Sequence, residues 1–164
     1  MWRRLLIVVM FSLPLTASLA ADTSIREANL PSTSAQRLLH LSQHSNWAVR
    51  RAVAGNRHSP GTLLRQLAAD PDPRVRIAVV TNLSSPAEVH TFLLRDQDKA
   101  VRSVIARFEY VSAEALGILS EDSDPDIRFE VAGNWNTSIT TLRHLQQDDF
   151  EHVRQRATQE LARR

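Results

Sequence analysis

The sequence predicts an all-α fold: a short solenoid of four 26-residue, two-helix repeats with a half-repeat cap at each end. Three observations predict it: a fixed period, helix-start residues at one place in every unit, and polar half-units at both ends. Hydrophobic residues make up 43% of the 164 residues but aromatic residues only 5%. We therefore expect a core of many small aliphatic contacts.

The period is carried by an aliphatic residue followed by arginine, which recurs every 26 residues without insertion or deletion. The aliphatic positions are Val49, Val75, Val101, Ile127 and Val153, and the arginines are Arg50, Arg76, Arg102, Arg128 and Arg154. A leucine and an aspartate follow later in each unit, at Leu67, Leu93, Leu119 and Leu145, and at Asp70, Asp96, Asp122 and Asp148. Agreement of four columns at one period indicates a tandem array.

The first helix of each unit has a recognisable start and end. Side chains suited to accept hydrogen bonds from free backbone N–H groups precede it, at Asn46, Asp72, Asp98 and Asp124. Pro73 and Pro125 then stand at the first helical position, where a missing N–H costs nothing. Gly55 and Gly133 stand where such a helix would end.

A second helix follows in each unit. The Ser-Pro pairs at 59–60 and 85–86 predict a serine N-cap and a helix-opening proline. Leu63, Leu64 and Leu67 then recur at helical spacing. Isolated helices shorter than about 12–15 residues are marginal in water, so these units must be stabilised by stacking on their neighbours.

The chain divides into four segments on this basis. Residues 1–20 are predicted to be a signal peptide, and residues 21–44 a linker followed by a capping half-repeat. Residues 45–148 hold the four repeats, and residues 149–164 are predicted to form a capping helix. Polar half-units at the ends would keep the apolar faces of the array covered.

The first twenty residues have the three parts of a secretory signal: a basic start, an apolar run and a small-residue cleavage site after Ala20. The apolar run is shorter than the roughly 20 residues that a membrane span needs, although an uncleaved anchor stays open. Loss of Arg3 and Arg4 would leave eighteen basic and eighteen acidic residues. A nucleic-acid partner is therefore not expected. Many arginines beside the single lysine, Lys99, hint at a bacterial chain, whose exported form would be periplasmic.

The unit DPDPRVRIAVVTNLSSPAEVHTFLLR resembles the leucine-rich repeat variant, a relative of HEAT repeats, in its Asp-Pro, Val-Arg, Asn, Ser-Pro and Leu-Leu positions. The resemblance covers residues 29 to about 161 and implies a right-handed superhelix. The period of 26 is longer than that family's usual unit, which keeps a HEAT-like assignment open. The iron–sulfur cluster of some family members needs cysteine, and this chain has none.

The arginine and aspartate columns predict a ladder of ion pairs between helices. The expected pairs are Asp70 with Arg76, Asp96 with Arg102, Asp122 with Arg128, and Asp148 with Arg154. A row of anion-binding arginines is the alternative. Arg50 follows His44 where the other arginines follow aspartate, so it is the arginine expected to be free for a partner.

The third repeat departs from the pattern of the others. Phe108 stands where the other units have asparagine, and Tyr110 and Trp135 lie on turns of this repeat and the next. Local repacking of the turns is one interpretation. The other is an exposed aromatic patch, formed by these three residues, that binds a partner.

No catalytic, cofactor or metal site is predicted. His40 and His44 share a helix face, but no third ligand stands at a usual spacing. His90 replaces a core leucine and is interpreted as a hydrogen-bonded imidazole of the interior. The expected function is that of an exported, non-enzymatic scaffold that binds a protein or peptide, of unspecified oligomeric state. A HEAT-like accessory factor in cofactor or chromophore attachment, and a periplasmic assembly chaperone, are the alternatives.

Overall fold

The computed structural model describes the backbone of residues 13–164 and the side chains from residue 19 onward. This part of the chain is all-α and contains eleven helices. They are α1 Leu13–Ala28, α2 Ala35–Leu41, α3 Trp47–Gly55, α4 Gly61–Leu67, α5 Pro73–Val80, α6 Ala87–Leu93, α7 Lys99–Arg107, α8 Ala113–Leu119, α9 Pro125–Gly133, α10 Ile139–Leu145 and α11 Glu151–Ala162. The predicted array of two-helix repeats is confirmed.

The helices form two rows. The first helices of successive units (α1, α3, α5, α7, α9 and α11) pack directly against one another, each contacting the next but one along the chain. The shorter second helices pack on the first helices beside them and leave grooves between themselves. The first helices therefore form the closely packed row of the stack, and the second helices form the more open row.

The predicted aliphatic columns form the core between the rows. The five residues that mark the period are fully buried, and so are Leu64, Leu116 and Leu142 of the second helices. One continuous cluster of buried apolar side chains runs from Ala28 to Ala157. Each unit therefore buries its apolar face against the next unit, as expected for a solenoid.

The capping residues of the first helices are confirmed. The side chains of Asn46, Asp72, Asp98 and Asp124 each accept a hydrogen bond from the backbone N–H two residues later. The predicted serine caps of α4 and α6 are wrong. Pro60 and Pro86 occupy the cap positions, while the hydroxyl groups of Ser59 and Ser85 donate to the carbonyl oxygens of Val53 and Val79. Each hydroxyl thus satisfies a carbonyl near the end of the preceding helix.

The N-terminal end differs from the expected linker. Residues 21–28, assigned to that linker, are helical as part of α1, because Ile25 packs against the core and Ala28 is fully buried. The unit before the first predicted repeat is therefore a two-helix unit, α1 with α2. The predicted cleavage point after Ala20 lies inside α1, while residues 1–12 of the predicted signal peptide lie outside the described residues.

The C-terminal end is closed by α11, as predicted for residues 149–164. Arg164 reaches back to the turn between α9 and α10, where its guanidinium donates to the backbone carbonyls of Asn134, Trp135 and Thr137. Within residues 13–164, no helix combines the length and the apolar character that crossing a membrane requires.

Candidate functional site

An ion-pair ladder joins each of the first helices α3, α5, α7 and α9 to the turn that precedes the next first helix. Each arginine donates through Nε and Nη2 to both carboxylate oxygens of the aspartate twenty residues later. The pairs are Arg50 with Asp70, Arg76 with Asp96, Arg102 with Asp122, and Arg128 with Asp148. The shortest contact in each pair is 2.6 to 2.7 Å. These are bidentate, charge-assisted contacts.

The partners predicted from the sequence are therefore wrong. Each of the four arginines pairs with the aspartate twenty residues after it, and not with the aspartate six residues before it. Arg76 donates through Nη1 to the main-chain carbonyl of Asp70, at 2.8 Å, and its carboxylate partner is Asp96. The physical reason is the orientation of the aspartate. Oδ1 of Asp70 accepts the N–H of Asp72, a turn that aims the carboxylate at Arg50 of the preceding unit.

Arg50 is not the free arginine. Its side chain is only 14% exposed and is held by Asp70 and by the carbonyl oxygens of His44 and Ser45. Arg154 is the member of the column without an aspartate partner among the described residues. It keeps the main-chain contacts, through Nη1 to the carbonyls of Asp148 and Asp149.

Among the described residues, the ladder has no ion pair before Arg50, and both residues that would form such a pair are replaced. His44 stands at the aspartate position, and its Nδ1 accepts the N–H of Asn46 at 3.0 Å as an aspartate oxygen would. Ser24 stands at the corresponding arginine position of α1. An imidazole can therefore replace the carboxylate, since the corresponding position of α1 holds serine and no arginine there needs a partner.

The carboxyl groups of Asp96 and Asp148 have lowered pKa values and remain charged at neutral pH. Hydrogen bonds from Arg128 hold the pKa of the Asp148 carboxyl below its ordinary value. Burial pushes the pKa of Asp96 upward, but Arg76 and the N–H of Asp98 outweigh it, so this pKa is lowered as well. The hydrogen bond to Asp96 in turn raises the pKa of Arg76.

A second ladder, of asparagines, runs along the turns between first and second helices. Asn82 donates through Nδ2 to the carbonyl oxygens of Ala54 and Asn56, at 2.7 and 2.9 Å, and its Oδ1 accepts the N–H of Ser84. Asn56 and Asn134 make the same three contacts in their own units. Sequence reasoning recognised this column of asparagines but assigned no role to it.

Phe108 interrupts the asparagine ladder, and His90 compensates. Nε2 of His90 donates to the carbonyl oxygen of Val80 at 3.0 Å, the bond that an asparagine at 108 would make. Phe108 stacks on the imidazole with ring centroids 5.7 Å apart. The satisfied imidazole expected at His90 is thus present, and Phe108 is a half-buried packing residue that contacts the core.

Tyr110 and Trp135 are the exposed members of the predicted aromatic patch, with 67% and 71% of their surfaces accessible. The ring of Tyr110 meets Phe108 edge-on at 5.7 Å. Trp135 makes no such ring contact with either residue among the described side chains. Their turns are nevertheless joined, because Nδ2 of Asn136 donates to the carbonyl oxygens of Glu109 and Val111.

Trp135 also lies at the rim of a cavity of about 200 Å³ on the row of first helices. The cavity is lined by Arg107, Phe129, Glu130, Gly133, Asn134, Trp135 and Arg156. Histidine and carboxylate side chains do not gather into a group of three or more suited to a metal ion anywhere in the described part of the chain. The exposed aromatic edge and this cavity are the candidate functional surface.

One family model matches the chain. It is described as the leucine rich repeat variant, and it matches residues 47–72. This segment is one 26-residue period, from the start of α3 to the residue that caps α5. The likeness therefore concerns the repeating unit, and it agrees with the helical repeat architecture. No curated protein matches the chain.

Proposed function

We propose that this chain is an exported, non-catalytic repeat scaffold that binds another protein or a peptide in the cell envelope. The observation that carries the proposal is the pair of exposed aromatic residues, Tyr110 and Trp135, on adjacent turns that are hydrogen-bonded to each other. Tyrosine and tryptophan dominate the binding energy of many protein interfaces.

A non-catalytic role is supported by how the polar residues are used. Many serine and aspartate side chains of the described residues have structural roles: Asp72, Asp124 and Ser138 cap helices, and the aspartates of the ladder pair with arginine. An extended surface made by stacked units is the usual functional feature of such arrays. Export and a periplasmic location are supported by the residue pattern of positions 1–20 alone.

The proposal is tested by capturing partners from an envelope extract on the wild-type protein and on the variants Tyr110→Ala and Trp135→Ala. We expect one stoichiometric partner that is lost with either variant while thermal unfolding is unchanged. Phe92→Ala is the matched control, because Phe92 is 63% exposed but lies on α6, a second helix.

Three outcomes would contradict the proposal. A partner retained by both aromatic variants would exclude this surface. Capture of many unfolded clients would indicate an assembly chaperone, and a bound cofactor or chromophore precursor would indicate the accessory-factor alternative. The proposed export is checked separately by the mass of the protein recovered from the envelope, since cleavage after Ala20 leaves a chain that begins at Ala21.

A further inference from the structure

The row of first helices carries a surface outside the ion-pair and asparagine ladders. We call it the first-helix face: the outward side chains of α1, α3, α5, α7 and α9, together with Arg156 of α11. A cavity of about 390 Å³ lies at its N-terminal end and the cavity of about 200 Å³ beside Trp135 at its C-terminal end. The N-terminal cavity is lined by Ile25, Asn29, Ala48, Arg51, Ala52, Gly55, Ile77, Ala78 and Thr81.

The floor of the first-helix face is apolar and only half covered. Ile25, Ile77, Val104 and Phe129 stand on α1, α5, α7 and α9, and each is half-buried against the core. Small residues such as Ala52 and Gly55 keep the N-terminal cavity open. The face can therefore receive large apolar side chains without displacing any side chain of its own.

The charges that line the two cavities are mostly positive. Arg51 lines the N-terminal cavity, and Arg107 and Arg156 line the C-terminal cavity. Glu130 is the one acidic residue among the residues that line the two cavities. Its distance to Arg107 is long, 3.9 Å, and Arg51 forms no ion pair with any described side chain.

Arg156 holds an unsatisfied donor at the C-terminal cavity. Its Nε is buried and has no hydrogen-bond partner among the described residues. Its Nη2 lies 3.4 Å from Glu160, and its guanidinium lies 5.7 Å from the ring centroid of Phe129. A buried donor without a partner is costly, and an incoming carboxylate would satisfy it.

We infer that the first-helix face binds an acidic peptide segment whose carboxylates pair with Arg51, Arg107 and Arg156 and whose apolar side chains lie on the half-covered floor. This inference rests on the proposed scaffold function and names the chemistry of its partner. Positive charge beside an apolar groove favours a partner of opposite charge and disfavours a basic one. Trp135, at the rim, contributes to the same binding site.

The inference is tested with a short fluorescein-labelled peptide of alternating acidic and large apolar residues, added to the full chain. We expect saturable binding and a shift of tryptophan emission that disappears in Trp135→Phe. A peptide with lysine in place of every acidic residue should not bind. Equal binding of both peptides would overturn the inference, because it would leave only the apolar floor as an attraction.

Charge reversal identifies the arginines that matter. We expect Arg107→Glu with Arg156→Glu to weaken binding of the acidic peptide by at least about tenfold, since close interfacial charges are reversed. Arg143→Glu is the matched control: Arg143 is exposed and lies on α10, away from this face, so a change of no more than about twofold is expected. Equal losses in both proteins would indicate a response to net charge and contradict the assigned site.

Two glycines offer a milder test. A Cβ at position 133 would lie 2.8 Å from Nη2 and 3.0 Å from Nε of Arg156, whereas a Cβ at position 117, on the second helix α8, would meet only Oγ1 of Thr141 at 3.9 Å. Gly133→Ala must therefore displace the guanidinium, while Gly117→Ala adds the same methyl group in ordinary contact and away from the first-helix face. We expect weaker peptide binding only in Gly133→Ala, with both proteins as stable as the wild type or more so. Unchanged peptide binding in Gly133→Ala would overturn the role assigned to Arg156.

The inference and the proposed function can fail separately. An envelope partner that depends on Trp135 but survives Arg107→Glu with Arg156→Glu would overturn the acidic-peptide inference and leave the scaffold function in place. Failure to capture any partner, together with failure of the acidic peptide to bind, would overturn both.

Discussion

The imidazole of His90 stacks on the ring of Phe108, with centroids 5.7 Å apart and 25° between the ring planes. Both residues depart from their columns, since the other units carry leucine and asparagine at these positions. His90 supplies the hydrogen bond to Val80 that an asparagine at 108 would supply. The two substitutions therefore compensate for each other, and they keep the carbonyl of Val80 at the end of α5 hydrogen-bonded.

This exchange predicts strong coupling between the two positions. His90→Leu alone leaves the carbonyl of Val80 without its side-chain donor, which costs about 1–3 kcal/mol of unfolding free energy. His90→Leu with Phe108→Asn restores both columns, so the double variant should recover most of that loss. A double-mutant cycle by chemical denaturation checks this. Free-energy changes that add to within about 0.5 kcal/mol would show that the residues are independent.

The asparagine ladder predicts a cost for an isosteric change. Asn82→Asp keeps the shape of the side chain and the acceptor for Ser84, but it removes both bonds donated to Ala54 and Asn56. We expect a loss of at least about 2 kcal/mol in unfolding free energy, because two buried carbonyls lose their donor. Denaturant titration measures it. A variant as stable as the wild type would mean that water satisfies these carbonyls equally well.

The ladder also predicts acid sensitivity. Because Arg128 lowers the pKa of Asp148 in the folded protein, the pair stabilises the fold above the unfolded pKa, near 3.8. That contribution is lost as the pH falls through the lower folded pKa. Unfolding free energy should therefore decline between about pH 5 and about pH 2. Asp148→Asn should show a shallower decline, and an identical acid slope would contradict the prediction.

The fold was predictable from the sequence because every unit repeats its signals. The buried aliphatic columns, the aspartate caps and the prolines of α5 and α9 each appear at the expected place. Helix α1 was missed because its residues carry neither the arginine nor the aspartate that mark a unit. Its only signals are Ile25 and Ala28, which match the columns of Ile77 and Val80.

The candidate surface was predicted only in part. In a 26-residue period, an aspartate six residues before one arginine also stands twenty residues after the previous one. The spacing alone cannot choose between these partners, and side-chain direction in the turn decides. The misassigned role of Arg50 follows from this ambiguity. The exposure of Tyr110 and Trp135 was anticipated, whereas the grouping of Arg107, Phe129 and Arg156 depends on contacts between units.

The arginines of α3, α5, α7 and α9 each pair with the aspartate in the turn that leads into the next first helix. A comparison of two double-mutant cycles tests this pairing. One cycle pairs Arg76→Met with Asp96→Asn, and the other pairs Arg76→Met with Asp70→Asn, each followed by chemical denaturation. The geometry predicts a coupling energy of about 1–3 kcal/mol for Arg76 with Asp96 and a clearly smaller one for Arg76 with Asp70. A larger coupling to Asp70 would mean that Arg76 pairs with the aspartate six residues before it, and it would contradict the ladder described above.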